Sequence, residues 1–544
     1  MENIMKRKGL GKLAISLAIG VSFLSACSAK TSAAKQKTTL NLMQTSELTT
    51  LDNTNQATMS EFSTLTNLDE GLYKLNSQNE VVPALAKKVA KPANGGKTYT
   101  IQLRKNARWS NGDQVTAQDF VYSWRRSVDP TNKPVYTYVF SGIKNADAIA
   151  AGKISPTQLG IKAIGKYKLQ INLEHPMQSF NKLVTMPVFL PQDKAFVQKV
   201  GTKKYGTNAK YTVSNGAFKI TKWTGVDDSY SLVENKYYYA KNQIKLKKIN
   251  YTTVKDDNTA YNLFKTNKLD DATVSGVVAQ GLQNNKNLKK VSRAWTYYLQ
   301  VNQGSGRPLA NAKLRKAISL IINRKELTQK VLGDGSTAAG SFVSPKTATD
   351  PTTGKDFSKE TAVSTQQNVK EAKELWKEGL AEIGKSSVTL NLIAEDTETQ
   401  NKVAEYIQSA IQSNLNNVTV KVQDLPAKSL SNKKAAGEFD LSLWYWLADY
   451  ADPINYLGIL TTGNSMNSGK YSDHSFDSYV ENAQTAKTKA AYWSNLRNAE
   501  NQLQKTTGII PLYYVKEDHL VQDGLNGVIY HTAGFADYTR AYWK

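Results

Sequence analysis

Few residues in this 544-residue chain have the types and spacing needed for chemistry. Its single cysteine is Cys27, and its four histidines, His175, His474, His519 and His531, lie far apart. The sequence contains no HExxH metal motif, GxSxG nucleophile turn or GxxxxGK[ST] phosphate loop. We therefore expect no enzyme, cofactor or metal site. A hydrolase that uses two carboxylates stays open, because spacing along the chain does not give distance in space.

The surroundings of Cys27 indicate lipid attachment rather than redox chemistry. Basic residues between positions 6 and 12 precede the apolar stretch Leu13–Leu24, which is too short for a stable membrane-spanning helix. The tetrapeptide Leu-Ser-Ala-Cys that ends at Cys27 resembles the lipobox of bacterial lipoproteins. This resemblance implies cleavage before Cys27 and a diacylglycerol on its thiol, and two acyl chains give stable membrane attachment.

These features predict a lipoprotein signal peptide at residues 1–26 and a lipid-anchored tether at residues 27–38. The remainder of the chain is then expected at the extracellular face of the cell membrane. The alternative is an ordinary signal peptide that ends at a cysteine by chance. With Cys27 carrying lipid, no disulfide can form within the chain.

The composition is that of a globular protein, with 40% hydrophobic and 9% aromatic residues, and the length predicts two or three domains. The net charge is +24. Residues 1–26 hold four basic residues and one acidic residue, so the rest carries about +21. The lysines are dispersed and no helix-turn-helix, RNP or zinc-finger pattern occurs, so we expect no nucleic-acid binding. Association with anionic lipid headgroups or wall polymers explains the positive charge as well as nucleic-acid binding would.

Strand and helix patterns alternate along the chain and predict an α/β fold. The helix expected at Ala117–Arg126 has Thr116 as N-cap and Asp119 in its first turn. A helix through Leu314–Ile322 is expected to end at Gly333. The other predicted segments are strands at 39–43, 98–103, 388–393, 418–422 and 439–446, and a helix at about 399–414.

The segment Tyr99–Trp124, which predicts a strand, an Asn-Gly turn and a capped helix, has a further implication. It closely resembles the signature of the family 5 extracellular solute-binding proteins, and within them the oligopeptide-binding proteins of ABC importers. Blocks at residues 46–52, 214–238, 314–324 and 448–467 resemble the same family in the same order. The resemblance therefore covers nearly the whole chain beyond the tether.

This resemblance implies an α/β, two-lobed periplasmic-binding-protein-like fold of type II with an additional inserted domain. Residues 39–70, 192–294 and 514–544 are expected to form lobe I. Residues 71–191 are expected to form the inserted domain, and residues 295–513 are expected to form lobe II.

The resemblance also implies the binding residues. Asp449 aligns with the carboxylate that pairs with a peptide α-amino group, which a cleft must neutralise. Its alternative interpretation is an ordinary acidic loop residue before Pro453. Tyr445, Trp446 and Leu447 match the strand that pairs with the peptide main chain, with Trp446 as an aromatic pocket wall. The other expected contacts are the opposing segment Ala57, Thr58 and Met59, and the pocket tyrosines Tyr136 or Tyr138 and Tyr297 or Tyr298.

Three residues depart from a well-known enteric relative. Leu443 replaces an arginine that receives the C-terminal carboxylate of short peptides, and Ala294 and Leu447 occupy positions that carry a disulfide there. We infer that this protein prefers longer peptides or reads peptide length elsewhere.

The implied function is capture of oligopeptides by a lipid-anchored monomer that delivers them to ABC permease subunits with cytoplasmic ATPases. The alternative is a dedicated receptor for a signalling peptide or for a non-peptide solute.

Overall fold

Residues 37–544 are described by the computed structural model of the protein. The predicted signal peptide, Cys27 and most of the predicted tether lie outside these described residues. Thr38–Lys544 form one unit by their contacts. No helix among residues 37–544 has the length and apolar character needed to span a bilayer.

The first strand precedes a helix that lines one wall of the candidate functional site. They are β1 (Thr39–Gln44) and α1 (Met59–Leu68). Thr58 caps α1: its side chain accepts a hydrogen bond from Glu61 N, and the Glu61 carboxylate accepts from Thr58 N. This capping box satisfies amide groups that the first helical turn leaves free.

The next segment contains a separate antiparallel sheet of three strands in the order β4-β6-β5. Its elements are β2 (Tyr73–Leu75), β3 (Val81–Pro83), β4 (Thr98–Gln102), α2 (Ala117–Val128), α3 (Ala146–Ala150), β5 (Ile161–Ala163), β6 (Lys168–Asn172) and α4 (Phe180–Leu183). Buried Trp109, Phe120 and Trp124 belong to one apolar core here. The predicted helix is confirmed as α2, with Asp119 accepting from Thr116 N at 2.8 Å.

The middle of the chain contributes further strands and leads into a long one. Its elements are α5 (Lys194–Val200), β7 (Phe218–Thr221), β8 (Ser229–Glu234), β9 (Lys248–Thr253), α6 (Asp257–Lys265), β10 (Asp271–Val274), α7 (Gly276–Gly281) and β11 (Leu288–Val301).

The last part holds most of the helices. Its elements are α8 (Ala312–Ile321), α9 (Arg324–Glu326), β12 (Thr337–Ala338), α10 (Phe357–Thr361), α11 (Val369–Glu382), β13 (Val388–Glu395), α12 (Glu398–Asn414), β14 (Val418–Leu425), α13 (Ala427–Ala436), β15 (Leu441–Leu447), α14 (Ile454–Leu457), α15 (His474–Gln484), α16 (Lys489–Lys505), β16 (Ile510–Val521), β17 (Leu525–Asn526) and β18 (Tyr542–Trp543). The predicted strand–helix–strand unit is confirmed, because β13 and β14 are parallel and α12 connects them.

The expected end of the helix around Leu314–Ile322 is wrong. Helix α8 stops at Ile321, since Ile322 is extended (φ −81°, ψ 112°). Asn323 then caps a new helical segment by accepting a hydrogen bond from Glu326 N at 3.0 Å. Gly333, at φ 60°, ends a π-helical turn over Leu327–Leu332 instead.

Two long strands join the two halves of the main sheet, whose order is β14-β13-β15-β11-β16-β10-β1-β9-β8-β7. The first half of β11 pairs with β16 near Lys516–Leu520, where β16 also pairs with β10. The second half of β11 pairs with β15 and with the beginning of β16. A register shift between Ser292 and Thr296 separates these halves, as expected for a β-bulge, which bends a strand.

Candidate functional site

A cavity of about 410 Å³ lies where α1, β15 and the C-terminal segment 531–539 come together. Residues 136–138 and 185–190 of the segment before α5 close another side. Its walls combine aromatic side chains with a few charged groups, as in sites that bind organic ligands.

Asp449 lies at the cavity wall directly after β15. Its Oδ2 accepts hydrogen bonds from Tyr138 Oη (3.0 Å) and Asn455 Nδ2 (3.2 Å). Asn455 Oδ1 accepts from Asp449 N and Trp446 Nε1, both at 3.0 Å, which fixes the loop. Within the described residues, Asp449 Oδ1 accepts no hydrogen bond and no cation lies within 4 Å. Burial raises the pKa of Asp449, while the bonds from Asn455 and Tyr138 oppose this effect.

Aromatic rings form much of the remaining wall. Phe62 on α1 stacks on Phe535 with ring centroids 5.5 Å apart, and its ring meets Tyr136 edge-on at 5.0 Å. On β15, the rings of Trp444 and Tyr445 stack at 5.5 Å. These surfaces can contact varied side chains without requiring one particular donor or acceptor.

Most of the residues expected at the site line this cavity. They are Ala57, Met59, Tyr136, Tyr138, Tyr445, Trp446, Leu447 and Asp449. Thr58 does not line it, because its side chain caps α1. Nor does either tyrosine of the Tyr297 and Tyr298 pair, since Tyr297 stacks on Tyr513 at 4.8 Å, behind Tyr445, and Tyr298 is only 1% exposed. Tyr298 points to the other side of β11 and packs on Phe342.

The opposing segment has less free backbone than expected. The amide groups of Ala57 and Thr58 both donate to Glu61 Oε2, at 2.7 and 2.8 Å. The Thr58 carbonyl accepts from Phe62 N at 3.2 Å. A ligand main chain must therefore use other groups of this wall.

The cavity also contains charged residues that no motif in the sequence indicates. Asp69, Glu70 and Asp537 line it with Asp449, and Lys74 and Arg293 are the basic residues among its lining. Burial lowers the pKa of His531, also in the lining, which favours its neutral form. The cavity thus has an excess of negative charge although the chain is strongly basic. The C-terminal contributors carry no local sequence signal, because only the tertiary fold brings them here.

A buried charge network lies next to the cavity, on β10, β11 and β16. His519 Nδ1 bonds Asp271 at 2.8 Å, and its Nε2 bonds Glu517 at 3.2 Å. Burial opposes a charge on His519, but Asp271 and Glu517 outweigh it and raise its pKa to about 10. Burial likewise opposes ionisation of Glu517, but Arg293 and His519 lower its pKa to about 2. These contacts link β10, β11 and β16 beside the cavity.

Residues 37–544 contain no group of three or more His, Cys, Asp or Glu side chains placed to hold a metal ion. The chemical features of the cavity are the free oxygen of Asp449 and the aromatic walls.

Residues 80–468 match the family model described as bacterial extracellular solute-binding proteins, family 5 middle. The chain belongs to this family. It is 33% identical to a dipeptide-binding protein of Lactococcus lactis, over 99% of this chain and 100% of that protein.

Two solved structures are similar to this chain. The peptide-bound OppA of Listeria monocytogenes has a TM-score of 0.77 and 34% identity, over 93% of this chain and 99% of that one. The pheromone receptor PrgZ has a TM-score of 0.77 and 33% identity, over 93% and 100%. The expected two-lobed type II binding-protein fold with an inserted domain is thereby confirmed, while the domain boundaries stay predictions.

Proposed function

We propose that the protein captures oligopeptides in this cavity, outside the cell, for delivery to an ABC permease. The observation that carries the proposal is the Asp449 carboxylate, which has a free oxygen and no counter-ion within 4 Å in the described part of the chain. A peptide α-ammonium supplies both the missing charge and the missing donors.

The cavity walls are suited to a class of peptides rather than to one particular peptide. Trp446, Tyr445 and Tyr136 offer ring faces and edges, and these tolerate side chains of different shape. Leu443 is only 3% exposed and packs in the core, so it offers no group to a peptide carboxylate. This agrees with the inference that the protein prefers longer peptides or reads peptide length elsewhere.

Capture is proposed to proceed by closure of the two lobes on the ligand. The cavity has residues of α1 on one side and of β15 on the other, so a bound peptide contacts both. Strands β11 and β16 connect the halves of the sheet, and the bulge near Arg293 is where we expect them to bend. A ligand that contacts both sides stabilises the closed form.

The cellular arrangement is proposed from the sequence. Cys27 carries the lipid that holds the protein, as a monomer, at the extracellular face of the cell membrane, and permease subunits with cytoplasmic ATPases import the peptide. We propose that the protein itself catalyses no reaction. Cys27→Ser should move the protein from the membrane fraction to the medium, and retention of the variant in membranes would refute this anchor.

A dedicated receptor for a signalling peptide is the second candidate. Similarity to the pheromone receptor PrgZ along 93% of this chain favours it. The same carboxylate would bind the α-amine of either kind of peptide.

Native mass spectrometry of protein purified without refolding, followed by denaturing release of ligands, tests the function. A heterogeneous set of co-purified peptides is expected for an importer, and one defined peptide for a signalling receptor. Protein that carries no peptide and shows no thermal shift with a mixed peptide library would refute both.

A further inference from the structure

Asp69 is a carboxylate of the cavity wall that has few hydrogen-bond donors around it. It is the C-cap residue of α1, and the only hydrogen bond that its carboxylate accepts from residues 37–544 comes from Asn215 N, at 2.7 Å. Within that described range no cation lies within 4 Å of it. Burial raises the pKa of Asp69 to about 7, and only the Asn215 amide opposes this.

The position of Asp69 on the helix is unfavourable for an anion. The C-terminus of a helix carries partial negative charge, which stabilises cations and destabilises carboxylates. The last turn of α1 contains no basic residue that could compensate. The fold therefore retains a group that reduces its stability, a pattern typical of binding sites.

The neighbouring carboxylates of the cavity accept more hydrogen bonds than Asp69 does. Glu70 accepts from Tyr238 Oη (2.6 Å) and Tyr239 Oη (2.7 Å), and Lys74 Nζ lies 3.5 Å from it. Asp537 accepts from the amide and the hydroxyl of Thr539. Once a peptide α-amine pairs with Asp449, Asp69 is the carboxylate of this wall that accepts the fewest hydrogen bonds and has no cation within 4 Å in residues 37–544.

We propose that Asp69 is a specificity-determining residue that binds a basic side chain, lysine or arginine, of the captured peptide. This inference rests on the proposed peptide-binding function. The ligand cation would meet a free carboxylate oxygen and the negative end of α1 together. Peptides with one basic residue at the right distance from the N-terminus are then the preferred class.

The test uses pentapeptides of alanine with lysine at one of positions two to five, each matched by a norleucine peptide of the same shape without charge. Calorimetry measures their binding to the wild-type protein, to Asp69→Asn, and to Asp523→Asn. Asp523 serves as the control because its side chain is 73% exposed and pairs with Lys286.

In at least one register, the lysine peptide should bind the wild type about tenfold or more tighter than its norleucine match. Asp69→Asn should remove this preference, whereas Asp523→Asn should keep it. Equal binding of lysine and norleucine peptides in every register, or a preference that survives in Asp69→Asn, would overturn the proposal. If no peptide binds the wild type, the proposed function itself fails, and this inference fails with it.

A thermal melt without ligand separates binding from structural support. Asp69→Asn removes an anion from the negative end of a helix, so its melting temperature should exceed that of the wild type. A lower melting temperature would show that Asp69 supports the fold, and would overturn the proposal.

Discussion

Replacing Asp449 by asparagine removes the charge of the cavity carboxylate and nearly preserves its shape. The remaining oxygen can still accept from Tyr138 and Asn455, as Oδ2 does now at 3.0 and 3.2 Å. The new amide nitrogen then takes the place of the free Oδ1 and presents hydrogens to the peptide ammonium. The variant therefore loses the attraction between the carboxylate and the peptide ammonium, and it places the hydrogens of the amide against those of the ammonium.

The loss is that of a buried ion pair broken by removing one partner, about 3–5 kcal/mol. Since 1.4 kcal/mol corresponds to tenfold, peptides should bind Asp449→Asn roughly 100-fold to several thousandfold more weakly. The loop should stay in place, because Asn455 also holds it through the Asp449 amide.

The assay is calorimetry with one pentapeptide in two forms, with a free and with an acetylated N-terminus. Acetylation should weaken binding to the wild type and to Asp523→Asn by about as much as the Asp449 substitution does, and should change little in Asp449→Asn. This double-mutant cycle isolates the contact between the amine and the carboxylate. The reasoning would be refuted if Asp449→Asn lost less than about tenfold in peptide affinity. It would also be refuted if acetylation weakened binding equally in the wild type and in Asp449→Asn.

Three further outcomes follow from particular contacts. Tyr138→Phe should weaken peptide binding about 3- to 10-fold in calorimetry, since a hydrogen bond to the carboxylate is lost; unchanged affinity would contradict this. His519 is charged below its folded pKa of about 10, so its pairing with Asp271 stabilises the fold fully below pH 6.5 and is lost as pH rises towards 10. The melting temperature gap between wild type and His519→Gln should therefore shrink over this window, and a constant gap would count against the ion pair. Gly206→Ala should lower stability to urea by about 1–3 kcal/mol, because φ is +72° and the new Cβ would lie 2.3 Å from Asp52 N; an unchanged midpoint would be the contrary result.

Local chemistry made several elements predictable. Thr116 and Asp119 form the capping box of α2, and the alternating pattern before them is strand β4. The break after Ile321 was not predictable in this way, because the apolar spacing runs on to Ile322 and hides it. The restart depends on the cap at Asn323, and asparagine is common both at helix caps and in turns, so its presence after an apolar period does not by itself mark a new helix.

The site was predictable where one strand supplies it. Tyr445 to Asp449 lie together because they are adjacent in sequence, and the family resemblance marks them. The sequence could not decide between Tyr297 and Tyr298, since both fit a strand and the fold alone decides which face is core. Phe535 reaches the cavity through the C-terminal segment, a placement that only long-range packing determines.

The position of β16 has a consequence for the order in which the chain can fold during synthesis. This strand pairs with β10, β11 and β12, although it begins at Ile510. In β18, Trp543 Nε1 donates to the carbonyl of Thr39, in the first strand. A growing chain thus holds strands of both halves of its main sheet without their shared partner until residues 510–521 have been made. Contacts between such distant residues form slowly, so the main sheet of a newly made chain remains incomplete until β16 has emerged.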